Sequence, residues 1–244
     1  MQLKIYKDYH SLSDAAANEV IELVKNKPEA VICFASGETP RLTCRLLTEK
    51  VVKEKTGMGH CTFIGLDEWV GISPENEGSC HYFFQHEIFK PLHFSVEQTN
   101  LFDAMSTDPD DECKKMDKVI FDKRGIDLMI VGIGMNGHIG FNEPGVSFDN
   151  YSHVINLDET TIIVGQKYFK TSATLQKGIT LGLKHLQQSK KVLLLANGAK
   201  KAAVIKKTVE GEVTNSFPAS IMQTCSNGLV MVDEEAASLL DLQQ

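Results

Sequence analysis

The feature that most constrains the fold of this chain is a set of five short runs that are apolar at nearly every position. Strands that are covered on both faces have this composition, because neither face is left to alternate with polar side chains. The runs span residues 30–35, 61–66, 127–133, 191–196 and 228–232. We therefore expect them to form the core strands of one sheet with layers packed on both sides.

Helical stretches lie between most of these runs. Residues 13–25 place apolar side chains at helical spacing, while 111–124 and 199–210 end at Gly125 and Gly211, where a C′ glycine would lie. Alternating strands and helices predict an α/β fold with a doubly wound, mostly parallel, Rossmann-like sheet and helices on both faces. We expect a single domain over 1–244, with the polar, weakly periodic segment 157–188 as a candidate lid.

Composition and charge argue against several classes of protein. Hydrophobic residues make up 42% and charged residues 23% of the chain, which is typical of a globular fold. The net charge is -7 and no basic stripe is present, so no nucleic-acid partner is expected. The densest basic patch of the chain fits a solvated helix face. It comprises Lys200, Lys201, Lys206 and Lys207.

No apolar run approaches the roughly 20 residues that span a bilayer, and the first ten residues lack a secretory apolar stretch. We therefore expect a cytoplasmic protein with no membrane partner. His81 and His86 are five residues apart, which does not place them on one helix face, and no metal site is predicted. Buried apolar packing is expected for the six cysteines, Cys33, Cys44, Cys61, Cys80, Cys113 and Cys225, which form no CxxC pair.

The first loop that could carry chemistry is Ser36-Gly37-Glu38-Thr39-Pro40, directly after a core strand. Ligand sites in such sheets gather at the carboxyl ends of the strands. Thr39 suits an N-cap and Pro40 a first helical position, so free backbone N–H groups and a helix dipole would suit a phosphate. An ordinary capped turn between a strand and a helix would have the same sequence features. The Glu38 carboxylate would have to point away from an anion or bind a sugar hydroxyl.

The second loop carries two adjacent carboxylates, Asp67 and Glu68, followed by Trp69. Adjacent side chains on an extended strand point to opposite faces, so one carboxylate can face a cleft while the other anchors structure. A carboxyl near an apolar ring can have its pKa raised toward the range useful for removing a proton from carbon. The alternative is a pair of solvated loop acids.

The third loop, residues 132–144, is the most informative. Its glycines allow the backbone to approach a ligand closely, and His138 lies among them between Asn136 and Glu143. A lone histidine in a glycine loop is usually structural, but one bracketed by Asn and Glu after a buried strand is a candidate acid–base catalyst. The loop lacks the helical continuation of a dinucleotide fingerprint.

Taken together, the segments SGETP, LDEWVG and GMNGHIGFNEP resemble those of the glucosamine-6-phosphate deaminase (isomerase) family, in the same order and spacing. The resemblance extends over essentially the whole chain. GMNGHIGFNEP is specific, whereas SGETP alone is not. The related 6-phosphogluconolactonases share the first loop and a glycine–histidine loop, but that loop does not usually continue into FNEP.

The resemblance implies a sugar phosphate as the small-molecule partner and assigns a role to each matching residue. Asp67 resembles the base that moves a proton between C2 and C1, and His138 resembles the residue that opens the pyranose ring. Glu143 resembles the carboxylate that supports this histidine, and Asn136 stands where some members have Asp. The implied substrate and phosphate contacts are Ser36, Gly37, Thr39, Lys201, Lys167 and Gly137. No metal or organic cofactor is implied, and a homo-oligomer is left open.

Within the family the chain looks most similar to the galactosamine-6-phosphate isomerases, on the basis of DEW, the AVIC strand and GITLGLKHL. Glu38 replaces a common Gly, and Lys167 lies where many glucosamine-type members have Arg. The expected reaction is therefore galactosamine 6-phosphate to tagatose 6-phosphate and ammonia. The alternatives are a glucosamine-6-phosphate deaminase giving fructose 6-phosphate, a lactone hydrolase of the 6-phosphogluconolactonase type, and a non-catalytic sugar-phosphate sensor.

Overall fold

The computed structural model describes residues 1–241 and confirms the predicted α/β architecture. The strands are β1 (Gln2–Tyr6), β2 (Val31–Phe34), β3 (Thr62–Gly65), β4 (Asp67–Trp69), β5 (Thr99–Asn100), β6 (Leu128–Val131), β7 (His153–Asn156), β8 (Lys177–Thr180), β9 (Val192–Ala196) and β10 (Gly228–Asp233). A seven-stranded sheet has the order β1-β10-β9-β6-β2-β3-β5, and all its pairings are parallel. The five predicted core runs supply β2, β3, β6, β9 and β10.

Helices cover both faces of this sheet. They are α1 (Tyr9–Asn26), α2 (Glu38–Glu54), α3 (Cys80–Phe84), α4 (Lys90–Leu92), α5 (Pro109–Asp122), α6 (Glu159–Gly165), α7 (Leu183–Gln188) and α8 (Ala202–Glu210). Successive strand residues enter different layers: Ile32 packs with Val20 of α1 and Leu47 of α2, whereas Cys33 packs with Ile120 of α5. This is why the core strands are apolar at every position and do not alternate.

A second, three-stranded antiparallel sheet has the order β4-β8-β7. β4 follows β3 after the single residue Leu66, so the chain leaves the large sheet and enters the small one within a few residues. Thr180 of β8 lies opposite Asp67 on one side and opposite His153 on the other. The small sheet therefore continues from the carboxyl end of β3, where ligand sites are expected.

Of the two helix ends predicted at glycines, one has the expected form and the other differs. Arg124 and Gly125 follow α5 with positive φ values of 65° and 96°, as a helix-terminating glycine requires. Gly211 instead has an extended backbone with φ of −76°, so it does not end α8 by a left-handed turn. The predicted 199–210 helix is divided into a 3-10 turn, Ala199–Lys201, and α8.

The candidate lid, 157–188, includes parts that belong to the packed body of the molecule. Its second half contains β8, which is the central strand of the small sheet, and α7, in which Leu183 and Leu186 are buried. Only its first part, α6 and the 3-10 turn Gln166–Tyr168, faces the carboxyl ends of the large sheet. A closing motion of this first part stays a prediction.

Two features of the described residues concern bulk properties of the chain. All six cysteines are buried, as predicted for small apolar side chains. Across residues 1–241, no helix combines the length and apolarity that crossing a membrane would need.

Phe63 of β3 is expected to contribute strongly to stability, because its ring stacks on Phe34 at 5.3 Å and meets Phe84 and Phe89 edge-on. Replacing Phe63 with Ala should lower the free energy of unfolding by about 3–5 kcal/mol through lost burial and a residual cavity. Urea denaturation would measure this loss. The control is Val52→Ala on the exposed face of α2, where a change within about 0.5 kcal/mol is expected. Equal effects of the two substitutions would contradict the assignment of Phe63 to the core.

Candidate active site

The segments after four neighbouring strands converge on one cavity. β9, β6, β2 and β3 are adjacent in the sheet, and the residues that follow each of them line a cavity of about 730 Å³. The chain order reverses between β6 and β2, and this switch point leaves a crevice at the carboxyl edge of the sheet. Parallel pairing therefore brings together four segments that are far apart in the sequence.

The loop after β2 presents the N-terminus of α2 to this cavity. Gly37 is the N-cap with φ of 113°, a backbone conformation that favours glycine, and α2 begins at Glu38. The predicted capping by Thr39 is therefore wrong: Thr39 lies inside the first turn, and its hydroxyl bonds to the Asn197 side chain at 2.9 Å. Pro40 is in the same turn, where its missing N–H costs nothing. Ser36, Gly37 and Thr39 all line the cavity, as the sequence predicts.

Glu38 does not aim its charge into this loop. Its side chain is 61% exposed, and it forms an ion pair with Arg41 at 3.3 Å one helical turn further on. Arg41 also binds Glu87, at 2.5 Å, and Glu87 in turn binds Arg45 at 2.9 Å. The carboxylate is thus drawn toward a charge network beside the loop, and the helix N-terminus stays free for an anion.

Two lysines add positive charge to the same end of the cavity. Lys201 closes the turn after β9, and its ammonium group donates to the Ile133 carbonyl at 2.5 Å. Burial, together with a smaller effect of the nearby Lys167 charge, lowers the pKa of Lys201 to about 8. Lys167 lies in the turn after α6, with Nζ 4.9 Å from the Tyr168 ring centroid. Both amines line the cavity, and with the helix N-terminus they form a site suited to an anion.

The two adjacent carboxylates after β3 have separate surroundings, as the alternation of strand side chains predicts. Asp67 borders the cavity. Glu68 is buried, and its carboxylate accepts hydrogen bonds from the backbone N–H groups of Trp69 (2.9 Å), Cys80 (3.0 Å) and His81 (2.7 Å). Burial raises the pKa of Glu68, although these three bonds oppose the rise. Glu68 therefore joins β4 to the start of α3.

The surroundings of Asp67 favour its neutral form more than water would. Burial raises the pKa of Asp67 to about 7, the neighbouring Glu68 charge adds to the rise, and a hydrogen bond from Cys80 opposes it. The Cys80 sulfur lies 3.6 Å from Asp67 Oδ1, and the Ser36 hydroxyl lies 3.0 Å from the same sulfur. A carboxyl with a near-neutral pKa is well matched to removing a proton from carbon.

The loop after β6 turns back on itself to place His138 at the cavity. Gly134 N–H donates to the His138 carbonyl at 2.9 Å, and a Cβ at Gly134 would overlap the His138 ring. Glycine is therefore needed there for the imidazole to pack closely. Gly137, a predicted substrate contact, is not among the residues that line the cavity. Its φ of 85° and its contact with the Phe217 ring account for the glycine instead.

The histidine is oriented by a buried acid and a hydroxyl. His138 Nδ1 lies 3.4 Å from Glu143 Oε2 and 3.0 Å from the Thr161 hydroxyl of α6. Asn136 donates to Glu143 at 2.9 Å and accepts from the His138 backbone N–H at 3.2 Å. Burial raises the pKa of Glu143, but contacts with His138, Thr161 and Asn136 outweigh it and lower the pKa below its usual value. Glu143 is thus a carboxylate that holds Nδ1 and leaves Nε2 for the cavity.

Three residues at the site were not found from the sequence: Cys80, Thr161 and Tyr168. Each comes from an element that packs over the strand ends, and no local motif marks it. The only available signal was that Thr161 and Tyr168 lie in the candidate lid. Within the described residues 1–241, no three His, Cys, Asp or Glu side chains are grouped as metal ligands would be.

The arrangement brings a near-neutral carboxyl, an oriented imidazole and an anion site to one cavity. Asp67 can move a proton on carbon, and His138 can move a proton between oxygens. The anion site can hold a remote phosphate and so orient the reacting atoms. Asp67 and His138, whose proposed steps must act on one substrate, therefore share one cavity.

Comparisons with known proteins agree with this geometry. The family model for glucosamine-6-phosphate isomerases/6-phosphogluconolactonases matches residues 7–231. Glucosamine-6-phosphate deaminase of Thermoanaerobacter sp. (strain X514) is 36% identical over 241 residues, which are 98% of this chain and 95% of the relative. The enzyme of that name from Clostridium acetobutylicum (strain ATCC 824) is also 36% identical, over 98% of this chain and all of the relative.

Solved structures are similar over nearly the whole chain. A monomeric glucosamine-6-phosphate deaminase superposes with a TM-score of 0.95 at 33% identity, covering 98% of this chain and 100% of that one. The 6-phosphogluconolactonase of Trypanosoma brucei superposes with a TM-score of 0.76 at 17% identity, covering 97% of each chain. The second likeness shows a shared fold.

The adjacent carboxylates should respond in opposite ways to the loss of their charge. Glu68→Gln turns one acceptor toward three N–H groups into a donor, so the free energy of unfolding should fall by about 2–4 kcal/mol. Asp67→Asn removes a charge that burial disfavours, so stability at pH 8 should be unchanged or higher by up to about 1 kcal/mol. Urea titrations of both variants would measure this difference. A similar loss in both would show that Asp67 is also a structural anchor.

Proposed function

The chain belongs to the glucosamine-6-phosphate isomerase/6-phosphogluconolactonase family, and on that premise we propose that it converts glucosamine 6-phosphate and water to fructose 6-phosphate and ammonia. It is an amino-sugar phosphate deaminase/isomerase, as its family match and its relatives indicate. The single observation that carries the proposal is the meeting of Asp67 and His138 in one cavity that also contains an anion site.

The glucosamine substrate takes precedence over the galactosamine substrate predicted from the sequence. The relatives that are 34–36% identical over nearly the full chain are all named glucosamine-6-phosphate deaminase. The features that favoured the galacto epimer belong mainly to the core. Cys33 is fully buried in β2, the Trp69 ring packs 4.6 Å from the Phe141 ring, and residues 178–186 form β8 and α7. Such features stabilise the fold and are poor indicators of the C4 configuration.

The phosphate is proposed to lie at the N-terminus of α2, where it accepts hydrogen bonds from Ser36, Gly37 and Thr39 of the first loop. Lys201 and Lys167, which line the same cavity, neutralise its charge. Lys167 acts as a point charge and does not form the bidentate hydrogen bonds of an arginine. The other hydrogen bonds to the phosphate must therefore come from backbone N–H and hydroxyl groups. Binding at this remote group orients the sugar ring and lowers the entropic part of the barrier.

Ring opening is assigned to His138. The imidazole carries a proton from the O1 hydroxyl to the ring oxygen, and the C1–O5 bond breaks to give the open aldehyde. Glu143 and Thr161 hold Nδ1, so Nε2 stays available to both oxygens in turn. A positioned acid–base group of this kind contributes about 10²–10⁴-fold to the rate.

Isomerisation is assigned to Asp67. Its carboxylate removes the C2 proton while O1 takes up the proton that the substrate ammonium group releases, which gives an enolamine with a C1–C2 double bond. The carboxyl group then returns the proton to C1, leaving a protonated imine at C2. Water adds to that carbon and ammonium leaves, so the product is the C2 ketone. The amino group itself stabilises the intermediate, and Asp67 with a pKa of about 7 can both accept and return the proton.

We propose that residues 158–175 close over the substrate and that β8 and α7 take no part in this movement. This part carries Thr161, which touches the catalytic histidine, and Lys167, which lies at the anion site. Enclosure would exclude water while the enolamine exists. Self-association of the chain remains an open expectation.

Ammonia release should be measured side by side from glucosamine 6-phosphate and galactosamine 6-phosphate. The proposal expects kcat/KM to be at least about tenfold higher for the gluco epimer, because one misplaced hydroxyl group costs a hydrogen bond of about 1–2 kcal/mol. A coupled assay for ammonia gives the rates. A preference for the galacto epimer would restore the substrate predicted from the sequence, and release from neither, with hydrolysis of a 6-phosphogluconolactone, would overturn the deaminase proposal.

The pH dependence of kcat/KM should report the Asp67 carboxyl. Because the base must be ionised and Lys201 must be charged to hold the phosphate, kcat/KM should rise as pH increases through about 7 and fall again above about 8. Asp67→Asn should abolish exchange of the C2 proton with solvent deuterium, measured by NMR, and leave substrate affinity within about threefold. Asp149→Asn, at a side chain that is 82% exposed, is the matched control and should exchange normally. Undiminished exchange in Asp67→Asn would show that another group is the base.

A further inference from the structure

We propose that Tyr168 is a further substrate-binding residue, whose hydroxyl group donates a hydrogen bond to the phosphate held by the loop after β2. The inference deepens the proposed function and rests on its claim that the substrate carries a phosphate. It adds a donor that no sequence motif marks and that lies on the segment proposed to close over the substrate.

The placement of Tyr168 points to the phosphate end of the cavity. Its hydroxyl oxygen lies 3.5 Å from the position that a Cβ on Gly37 would occupy, so it faces the N-cap of α2 directly. On the adjacent side, Lys167 extends over the Tyr168 ring, and Lys167 and Lys201 are close enough for one charge to lower the pKa of the other amine. The hydroxyl therefore faces the helix N-terminus, and the Lys167 ammonium group lies over the ring that carries it.

The backbone that carries this side chain is held in place. Gln166, at the start of the same 3-10 turn, binds the Ala173 backbone twice, at 2.8 and 3.1 Å. Phe169, directly after the turn, is buried and packs 6.0 Å from the Trp69 ring. The partly buried ring of Tyr168 joins the same apolar cluster. A hydroxyl on a fixed ring loses little conformational entropy when it binds a ligand.

The hydroxyl group is available as a donor. Among the side-chain hydrogen bonds of residues 1–241, none involves Tyr168, although its oxygen lies at the cavity wall. Burial raises the pKa of Tyr168 to about 12, and the charges of Glu38, Cys80 and Asp67 add to the rise, so the phenol keeps its proton at any working pH. Glu38 pairs with Arg41 instead of accepting this proton. A neutral donor facing an anion site fits a phosphate oxygen.

Tyr168→Phe tests the proposal, because it removes the hydroxyl group and keeps the ring. The dissociation constant of inorganic phosphate, measured by isothermal titration calorimetry, and the KM for glucosamine 6-phosphate should both rise about tenfold, as expected for one hydrogen bond to a charged group. The kcat should stay within about twofold. Tyr151→Phe is the matched control: this tyrosine is 45% exposed, its hydroxyl contacts Gln188, and both constants should be unchanged.

An unchanged phosphate affinity in a folded Tyr168→Phe variant would overturn the inference. A raised KM with unchanged phosphate affinity would do so too, because it would place the hydroxyl group on the sugar. Phosphate binding needs no turnover, so the result stays informative if glucosamine 6-phosphate proves not to be the substrate. In that case a Tyr168-dependent phosphate affinity would support the inference while the proposed function fails. A wild-type protein that binds no phosphate would overturn the anion site and the inference together.

Discussion

The burial of one carboxyl group, that of Asp67, is the constraint on which the rest of the site depends. A carboxylate withdrawn from water is disfavoured, and the resulting pKa of about 7 is what suits this group to carbon acid chemistry. The surrounding structure must therefore hold the Asp67 carboxyl group in this unfavourable environment. Glu68 does so from the next residue by binding three backbone N–H groups at the start of α3. A structural anchor and a reacting group with a raised pKa thus occupy adjacent positions in the chain, and strand geometry points their side chains in opposite directions.

The position of His138 is likewise held by its neighbours. Close packing of its ring requires a glycine at position 134, and its Nδ1 is held by Glu143 and Thr161 from two separate elements. Because Glu143 is itself held by Asn136, the imidazole has a fixed orientation before any ligand arrives. Preorganised groups of this kind do not have to be reordered when charge moves in the reaction. The anion site is equally preformed, since it combines a helix N-terminus with two amines.

Much of this could be predicted from the sequence because its causes are local. Continuously apolar runs mark strands buried on both faces, and residues directly after such strands gather at one edge of a parallel sheet. Asp67, His138 and Lys201, which that reasoning selected, line one cavity, and their roles stay predictions. The reasoning failed for Thr161, which meets His138 from 23 residues away, because the contact depends on how α6 packs over the strand ends. It failed for Gly137 because a glycine can serve packing, here against Phe217, as readily as ligand binding. Subfamily features such as the AVIC strand are weak guides to the substrate because they lie in the core.

The small sheet has a consequence for how substrates can enter. The segment 158–176 is tethered to the histidine through Thr161 at one end, and at the other end it runs into β8, which is hydrogen-bonded to the strand of Asp67. Because both ends of the segment are held beside the reacting groups, it cannot move away as a rigid unit about a single hinge. If the segment opens, the movement must therefore occur in its middle part, and the extent of that movement limits the size of the sugar that can enter the cavity.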